Sequence, residues 1–313
     1  MLYLDAEALA ARLSPGSLID ALDRAFRADV HMPARQSYAV GDQRNPAAAL
    51  FVMPAWKINA AIGVKLVTVF PNNSSRGEPA VHATYTLFNA ATGAPRAILD
   101  GTELTLRRTA AASALAARYL AHPDAARLLM VGTGSLAPHV IESHAAVRPI
   151  RRVRVWGRRP ERANAVAKSL AGKPYEIEAI DDLQSAVAWA DIVSCATLAA
   201  EPLLRGAWLR PGQHLDLIGS FTPHMREADD DALVRAAIYV DTRAGALAES
   251  GELVHALAAG RISTADIRGE LSELARGSVD GRREHGEITL FKSVGCALED
   301  LAAAELAVSV RPE

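Results

Sequence analysis

Cysteine is nearly absent from the chain, since only Cys195 and Cys296 occur among 313 residues. Two distant thiols provide neither a disulfide framework nor a zinc site. An excess of one charge is also missing, because 34 basic residues face 36 acidic ones, whereas nucleic-acid-binding proteins usually carry a basic excess. No apolar run has the length of a membrane span, and the N-terminus carries acids where a signal peptide is basic. We therefore expect a cytoplasmic protein without nucleic-acid, membrane or metal partners.

Two different patterns divide the chain. Before residue 118, apolar and Val-rich runs flank a turn at 91–94, which indicates a β-rich region that ends in an Ala-rich helix near Thr105–Leu120. From Arg127 onward, short apolar strands alternate with amphipathic helices, which is typical of a parallel sheet covered on both faces. Residues 260–287 are polar and helix-like. The sequence therefore predicts an α/β protein with a Rossmann-type doubly wound parallel sheet and a second β-rich α+β domain.

A glycine-rich loop follows the first strand of the alternating region. The strand Arg127–Val131 leads into Gly132, Thr133, Gly134, Ser135, Leu136 and Ala137, a GxGxxA pattern. Glycines allow the backbone to approach a pyrophosphate closely, and the next helix offers free N–H groups at its N-terminus. A glycine turn in an unrelated α/β protein would look similar, but here the strand, the helix and a second strand all have the expected spacing. We therefore predict a dinucleotide site.

The end of the second strand indicates which dinucleotide is bound. NAD-dependent enzymes place an acidic residue near this point, but here Trp156 is followed by Gly157, Arg158 and Arg159. Two guanidinium groups can bind a 2′-phosphate, and no carboxylate is present to repel it. The alternative is that these arginines are solvated loop charges. We expect NADP(H), with NAD as the weaker alternative.

Cations near apolar segments suggest a second site. Lys65 lies within an eleven-residue apolar strand, where an unpaired buried charge would be costly, although a strand lysine can also face solvent. Arg107 and Arg108 fall in the first turn of the predicted Ala-rich helix, where the helix dipole disfavours cations unless an anion binds. A solvated surface pair is the alternative. Together these residues indicate a pocket for a carboxylate.

The sequence resembles the ornithine cyclodeaminase/mu-crystallin family over nearly its whole length. Six motifs in the family's order carry the resemblance: Gly63–Thr68, Leu104–Ala111, Val155–Ala163, Ile218–Pro223, Glu249–Glu252 and Phe291–Asp300. The resemblance implies a homodimer in which residues 1–118 and 290–313 form a substrate-binding and dimerisation domain. Residues 119–289 would form the dinucleotide-binding domain.

Roles for particular residues follow from the same resemblance. Arg35, Lys65 and Arg108 match the residues that bind the substrate carboxylate, and Lys65 is in addition a candidate to donate or relay a proton. The pyrophosphate would lie against Thr133–Leu136, and the adenosine phosphate against Arg158 and Arg159. Three further residues match loops that line the nicotinamide side: Thr197, Ser220 and Ser293.

One position departs from part of the family. The cyclodeaminase and alanine dehydrogenase branches carry an aspartate where this chain has Phe221, and a phenyl ring can neither orient an ammonium group nor activate water. The chain instead resembles the bacterial Δ1-pyrroline-2-carboxylate reductases, also over Pro71–His82. This makes His82 a candidate for proton relay, although a single histidine is more often structural.

We therefore expect NADPH-dependent reduction of a cyclic imino acid, by hydride transfer to C2 of Δ1-pyrroline-2-carboxylate to give L-proline. One alternative is an ornithine cyclodeaminase that uses NAD, and another is an L-alanine-type dehydrogenase. A third alternative is a non-catalytic NADP- and ligand-binding protein in the manner of mu-crystallin, which would keep the same pocket.

Overall fold

The computed structural model describes residues 1–43 and 48–310, and the side chains of 74–76, within the Pro71–His82 stretch, lie outside the described part. The chain forms two compact units. The first comprises Met1–Arg108 with Cys296–Glu313, and the second comprises Thr109–Gly295. Each unit is built around its own β-sheet.

The first unit contains a six-stranded sheet. Its strands are β1 (Leu2–Leu4), β2 (Gln36–Ala39), β3 (Ala49–Lys57), β4 (Ala61–Val69), β5 (Val81–Asn89) and β6 (Pro95–Asp100). Their order across the sheet is β1-β6-β5-β4-β3-β2, with β1 parallel to β6 and all other neighbours antiparallel. The helices of this unit are α1 (Ala6–Arg12), α2 (Pro15–Arg27), the start of α3 (Gly101–Leu120) and α11 (Ala297–Ser309).

The two faces of this sheet differ in burial. Lys65 on β4 is paired with Tyr85 on β5, and both side chains are buried on the face against which α11 packs. Successive side chains of a strand alternate between faces, so the intervening residues lie on the other side. These residues are apolar for the most part and are half-buried or exposed: Leu50, Val52, Trp56, Ile62, Val64, Leu66 and Phe88. We call this set the open face.

The second unit contains an eight-stranded parallel sheet. In chain order its elements after α3 are β7 (Arg127–Val131), α4 (Leu136–Val147), β8 (Arg152–Trp156), α5 (Pro160–Ser169), β9 (Glu176–Ala179), α6 (Leu183–Trp189), β10 (Ile192–Cys195), β11 (His214–Leu217), α7 (Asp230–Arg235), β12 (Ala237–Val240), α8 (Arg243–Glu249), α9 (Gly251–Ala258), β13 (Ile267–Glu270), α10 (Leu271–Arg276) and β14 (Thr289–Lys292). The strand order is β13-β12-β14-β11-β10-β7-β8-β9.

Helices cover both faces of this sheet. Leu128 and Met130 of β7 belong to one buried apolar cluster, whereas Leu129 and Val131 belong to another. The chain runs outward from β7 to β9 and then returns to β10 on the other side of β7, so the strand order reverses there. The predicted doubly wound sheet with a second β-rich unit is confirmed. In such sheets, ligands bind at the carboxyl ends of the strands beside this reversal.

The unit boundaries differ from the expected domain boundaries. The compact units divide after residues 108 and 295, whereas the sequence places the divisions after 118 and 289. At the C-terminal division the reason is β14, which pairs with β11 and β12 inside the parallel sheet. Because β14 has only four residues and is followed closely by a long helix, its sequence does not indicate which of the two sheets it joins.

One local expectation also changes. The polar stretch 260–287, expected to be helix-like, contains the edge strand β13 as well as α10.

Among residues 1–43 and 48–310, every helix falls short of the length or apolar character needed to cross a membrane.

Candidate functional site

The glycine loop lies at the carboxyl end of β7, next to the strand-order reversal. Gly132 has φ 122°, a left-handed value that L side chains rarely adopt, and a Cβ there would lie 2.4 Å from the Ala196 carbonyl oxygen. A Cβ on Gly134, by contrast, would meet no described atom within 4 Å. Ser135 stands at the N-cap of α4, and its hydroxyl makes no capping bond within the described chain. The loop thus presents open space at the start of a helix, which suits the close approach of a pyrophosphate.

Arg158 and Arg159 follow β8 and stand exposed before α5 begins at Pro160. Within the described part of the chain neither guanidinium forms an ion pair, whereas the neighbouring Arg154 pairs with Glu178 at 2.8 Å. Gly157 is required locally, because a Cβ there would lie 2.5 Å from the Cγ2 atom of Thr133 in the glycine loop. The strand end therefore offers two available cations beside that loop.

The residues expected on the nicotinamide side lie after three strands of the same sheet. Thr197 follows β10, Ser220 follows β11, and Ser293 follows β14. Their hydroxyl groups, however, bond to buried carboxylates. Thr197 Oγ1 donates to Glu227 at 3.0 Å, Ser220 Oγ to Glu252 at 2.5 Å, and Ser293 Oγ to Asp241 at 2.9 Å. The structure therefore places these residues at the expected strand ends but gives their side chains partners within the protein.

In the first unit, Lys65 and Arg108 meet two carboxylates at the start of α11. Lys65 Nζ donates to Asp300 Oδ1 at 2.8 Å, and Arg108 Nε donates to the same atom at 2.9 Å. Arg108 Nη1 donates to Glu299 Oε2 at 2.5 Å. Lys65 is only 2% exposed and Arg108 5%, which excludes the alternative of a solvent-facing strand lysine. We call these four residues the paired-charge cluster.

Burial changes the acidity of both cations. It lowers the pKa of Lys65 to about 8, helped by the neighbouring Arg108 and opposed by Asp300. For Arg108, burial acts against the charge, but Asp300 and Glu299 outweigh it and raise its pKa. Arg108 therefore stays a cation, whereas Lys65 exchanges a proton near physiological pH. A group of this kind can both bind an anion and act as a general acid.

The helix-dipole argument for Arg107 and Arg108 is wrong. Helix α3 begins at Gly101, so both arginines lie in its second turn, beyond the orphan amides. Arg107 Nε pairs with Glu103 at 2.6 Å, and its Nη1 donates to the Leu13 carbonyl at 3.0 Å. Protein groups thus balance both charges. The substrate role of Arg108 then depends on its place beside Lys65 and on the family resemblance.

The other two candidate residues belong to other segments of the first unit than Lys65. Arg35 is half-buried and immediately precedes β2. His82 is exposed on β5, where it pairs with Thr68, three residues beyond Lys65. Because side chains alternate along a strand, His82 and Lys65 lie on opposite faces of the sheet. The structure therefore does not bring these two together in one chain.

Sequence reasoning missed the carboxylates that position the candidate residues. Glu299 and Asp300 in the first unit, and Glu227, Asp241 and Glu252 in the second, are all fully buried or nearly so. A signal existed for some of them, because Glu252, Glu299 and Asp300 belong to the motifs of the family resemblance. Acidic residues in an otherwise apolar setting, as in 297–304, were the physical clue.

The chain is similar in sequence to proteins of known family. The ornithine cyclodeaminase/mu-crystallin family profile matches residues 4–309. A Δ1-pyrroline-2-carboxylate reductase of Paracoccus denitrificans is 42% identical over 260 residues, which cover 83% of this chain and 82% of that protein. Protein SAR DEFICIENT 4 of Arabidopsis thaliana is 44% identical over 282 residues, 88% of this chain and 85% of the relative.

A solved structure is similar over almost the full length. The Δ1-pyrroline-2-carboxylate reductase of Thermococcus litoralis, in complex with NADH and L-proline, superposes with a TM-score of 0.93 at 33% identity. The match covers 98% of this chain and 96% of that one.

The paired-charge cluster allows us to predict how Asp300→Asn changes the stability of the protein. This change leaves Lys65 and Arg108 buried with one carboxylate between them, so we expect the free energy of unfolding to fall by about 3–5 kcal/mol in urea denaturation. The pKa of Lys65 should fall further, since Asp300 raises it. The control is Glu178→Gln, which removes the partly exposed pair with Arg154 and should cost no more than about 1 kcal/mol. An equally small loss of stability in both variants would show that the paired-charge cluster does not stabilise the protein.

Proposed function

Because the chain belongs to the ornithine cyclodeaminase/mu-crystallin family, we propose that it is a nicotinamide-dependent reductase of cyclic imino acids. The proposed reaction converts Δ1-pyrroline-2-carboxylate to L-proline. The observation that carries the proposal is the buried Lys65 next to Arg108, since this pair combines an anion-binding charge with a proton donor of near-neutral pKa. A cyclic imino acid needs both, because it carries a carboxylate and an imine nitrogen that must be protonated before reduction.

The second unit fits the cofactor. Its glycine loop has open space at Gly134 and leads into the N-terminus of α4, which would hold the pyrophosphate. Arg158 and Arg159 would hold a 2′-phosphate, which favours NADPH, with NADH as the weaker alternative. When bound, the reduced nicotinamide supplies the hydride that C2 of the substrate accepts.

Binding of the substrate carboxylate is assigned to Arg35, Lys65 and Arg108. In the paired-charge cluster two cations already balance two carboxylates, so a bound substrate adds one negative charge. An added anion raises the pKa of Lys65 and keeps it protonated at neutral pH. Of the two cations Lys65 has the lower pKa, so it is the proton source that we propose for the imine nitrogen. His82, on the opposite face, would act only through water.

Phe221 separates this proposal from two alternatives. Its ring is 36% exposed after β11, at the position where cyclodeaminases and alanine dehydrogenases of the family carry an aspartate. A phenyl group provides no acceptor for an ammonium and no base for water. A non-catalytic NADP-binding protein would keep the same residues and would differ from the proposed reductase only in the absence of turnover. The cytoplasmic location expected from the sequence stays a prediction.

The deciding experiment measures oxidation of NADPH and of NADH by the purified protein with Δ1-pyrroline-2-carboxylate. We expect oxidation that depends on the imino acid, and loss of at least about 99% of it in Arg108→Met, since a buried charge-assisted contact contributes about 1.5–3 kcal/mol and also orients the substrate. Ammonia released from ornithine with NAD, without NADPH oxidation, would contradict the proposal in favour of a cyclodeaminase. Tight NADPH binding without turnover would favour a binding protein.

For the cofactor we predict the effect of Arg158→Asp. The new carboxylate would repel a 2′-phosphate and remove one charge-assisted hydrogen bond, so the KM for NADPH should rise about tenfold to hundredfold. The KM for NADH should change little, since NADH has no phosphate there. Arg283→Asp, the same charge change at an exposed residue elsewhere in the unit, is the control. Equal effects on both cofactors would identify Arg158 as a solvated surface charge.

We also propose that the protein is a homodimer and that the open face of the first unit forms the contact. Contiguous apolar residues on a sheet face that remain half-buried or exposed are typical of protein interfaces. Leu66 at its centre is 42% exposed, and its neighbours across the sheet are Val52 and Thr84. A symmetric pair of such faces would remove this surface from water.

The dimer proposal predicts the effect of Leu66→Lys. A charge at the centre of an apolar contact is costly when buried, so sedimentation velocity should show monomers in place of dimers. Val234→Lys, at a 50% exposed position on α7, is the matched control and should remain dimeric. A monomeric native protein, or a dimer unaffected by Leu66→Lys, would exclude the open face as the contact.

A further inference from the structure

Three motifs of the sequence meet in one buried network of the second unit. Ser220 follows β11, Glu252 lies on α9, and Lys292 ends β14, and each side chain is at most 1% exposed. Glu227, fully buried between β11 and α7, joins them. None of these four side chains is assigned a part in binding the substrate. Their hydrogen bonds lead instead to the loops after β10 and β11.

Glu227 connects these two loops directly. Its Oε1 accepts hydrogen bonds from the Thr197 amide at 2.7 Å and the Thr197 hydroxyl at 3.0 Å. Its Oε2 accepts from the amides of Gly219 at 2.7 Å and Ser220 at 3.3 Å. Gly219 has no space for a side chain, because a Cβ there would lie 2.2 Å from the Thr197 nitrogen and oxygen. One carboxylate thus clamps two strand ends at close range.

Glu252 and Lys292 support this clamp. Glu252 Oε1 accepts from the Glu227 amide at 2.7 Å, and its Oε2 accepts from Ser220 Oγ at 2.5 Å. Lys292 Nζ donates to Ser220 Oγ at 2.5 Å and lies 3.4 Å from Glu252 and 3.9 Å from Glu227. The network therefore fixes the Glu227 side chain through its own backbone and through its charged neighbours.

The charges of the network do not balance, since one ammonium serves two carboxylates. Burial raises the pKa of Glu227 to about 7, with Glu252 adding to the rise and Lys292 opposing it. The other groups that face Glu227 are the Cys195 thiol, the Thr197 hydroxyl and the backbone amides named above. The Thr197 hydroxyl and the amides of Thr197, Gly219 and Ser220 all donate to this carboxylate, whereas a protonated carboxyl group has one oxygen that is itself a donor. Proton uptake must therefore break part of the clamp.

We propose that Glu227 is a positioning residue that holds the loops after β10 and β11 in the form that binds the nicotinamide cofactor, and that protonation of its carboxylate releases them. This inference rests on the proposed function in one respect, namely that a nicotinamide cofactor binds at these strand ends. The Glu227 side chain is fully buried. It acts through the backbone of Thr197, Gly219 and Ser220.

The experiment is titration of the full-length protein with NADPH, and with NADH in parallel, by fluorescence between about pH 5.5 and about pH 8.5, without substrate. Native affinity should weaken about threefold to tenfold as the pH falls through 7, because the loops must regain the ionised clamp to bind. Glu227→Gln should bind about tenfold more weakly at high pH and lose most of this pH dependence. The control, Glu284→Gln, makes the same chemical change at an exposed residue outside these two loops and should behave as the native protein.

A second variant keeps the inference testable should Glu227→Gln unfold. Glu252→Gln retains an acceptor for the Glu227 amide but removes the negative neighbour that raises the pKa of Glu227. The midpoint of the pH dependence should move down by about one pH unit. A midpoint that stays in place, or a Glu227→Gln variant that binds like the native protein, would overturn the inference alone. A native protein that binds neither cofactor would overturn the proposed function as well.

Discussion

The Asp300 carboxylate accepts hydrogen bonds from two buried cations, Lys65 on a central strand and Arg108 on α3. Neither cation could remain charged in this position alone, because an isolated buried charge loses its hydration without compensation. Asp300 and Glu299 both come from α11, which begins almost two hundred residues after Arg108. The C-terminal helix therefore completes the first unit electrostatically as well as by apolar packing. Any carboxylate-binding chemistry at Lys65 depends on this arrangement.

The second unit also contains buried charges, but they are compensated differently. Lys292 is buried beside two glutamates, and the excess negative charge is met by backbone amides at the ends of neighbouring strands. Charge-assisted bonds to amides are strong, so the loops that receive them become rigid. The hydroxyls of Thr197 and Ser220 take part in this network, which explains why they point inward. Such loops are suited to hold a ligand at the carboxyl edge of the sheet with little loss of entropy on binding.

Prediction from the sequence succeeded where local pattern determines structure. The strand Arg127–Val131 and the alternation of strands and helices after it are found as expected, because strand hydrophobicity, helix period and glycine turns all act over short distances. The expected turn at 91–94 likewise joins β5 and β6. Prediction was poorer for β13, a four-residue edge strand with few apolar side chains, and for β14, whose sheet is not apparent from four residues. Helix α3 begins earlier than expected, and this shift removed the dipole argument for Arg108.

The sequence by itself determined the glycine loop, the absence of an acidic residue after β8, and the presence of Lys65 in an apolar strand, because each depends on residues adjacent in the chain. Tertiary structure alone decided which charges are paired. Asp300 meets Lys65 across 235 positions, Glu227 meets Thr197 across 30, and Glu252 meets Ser220 across 32. It also decided that His82 and Lys65 lie on opposite faces, which follows from strand register. Electrostatic partners are chosen by distance in space, and a sequence records only distance along the chain.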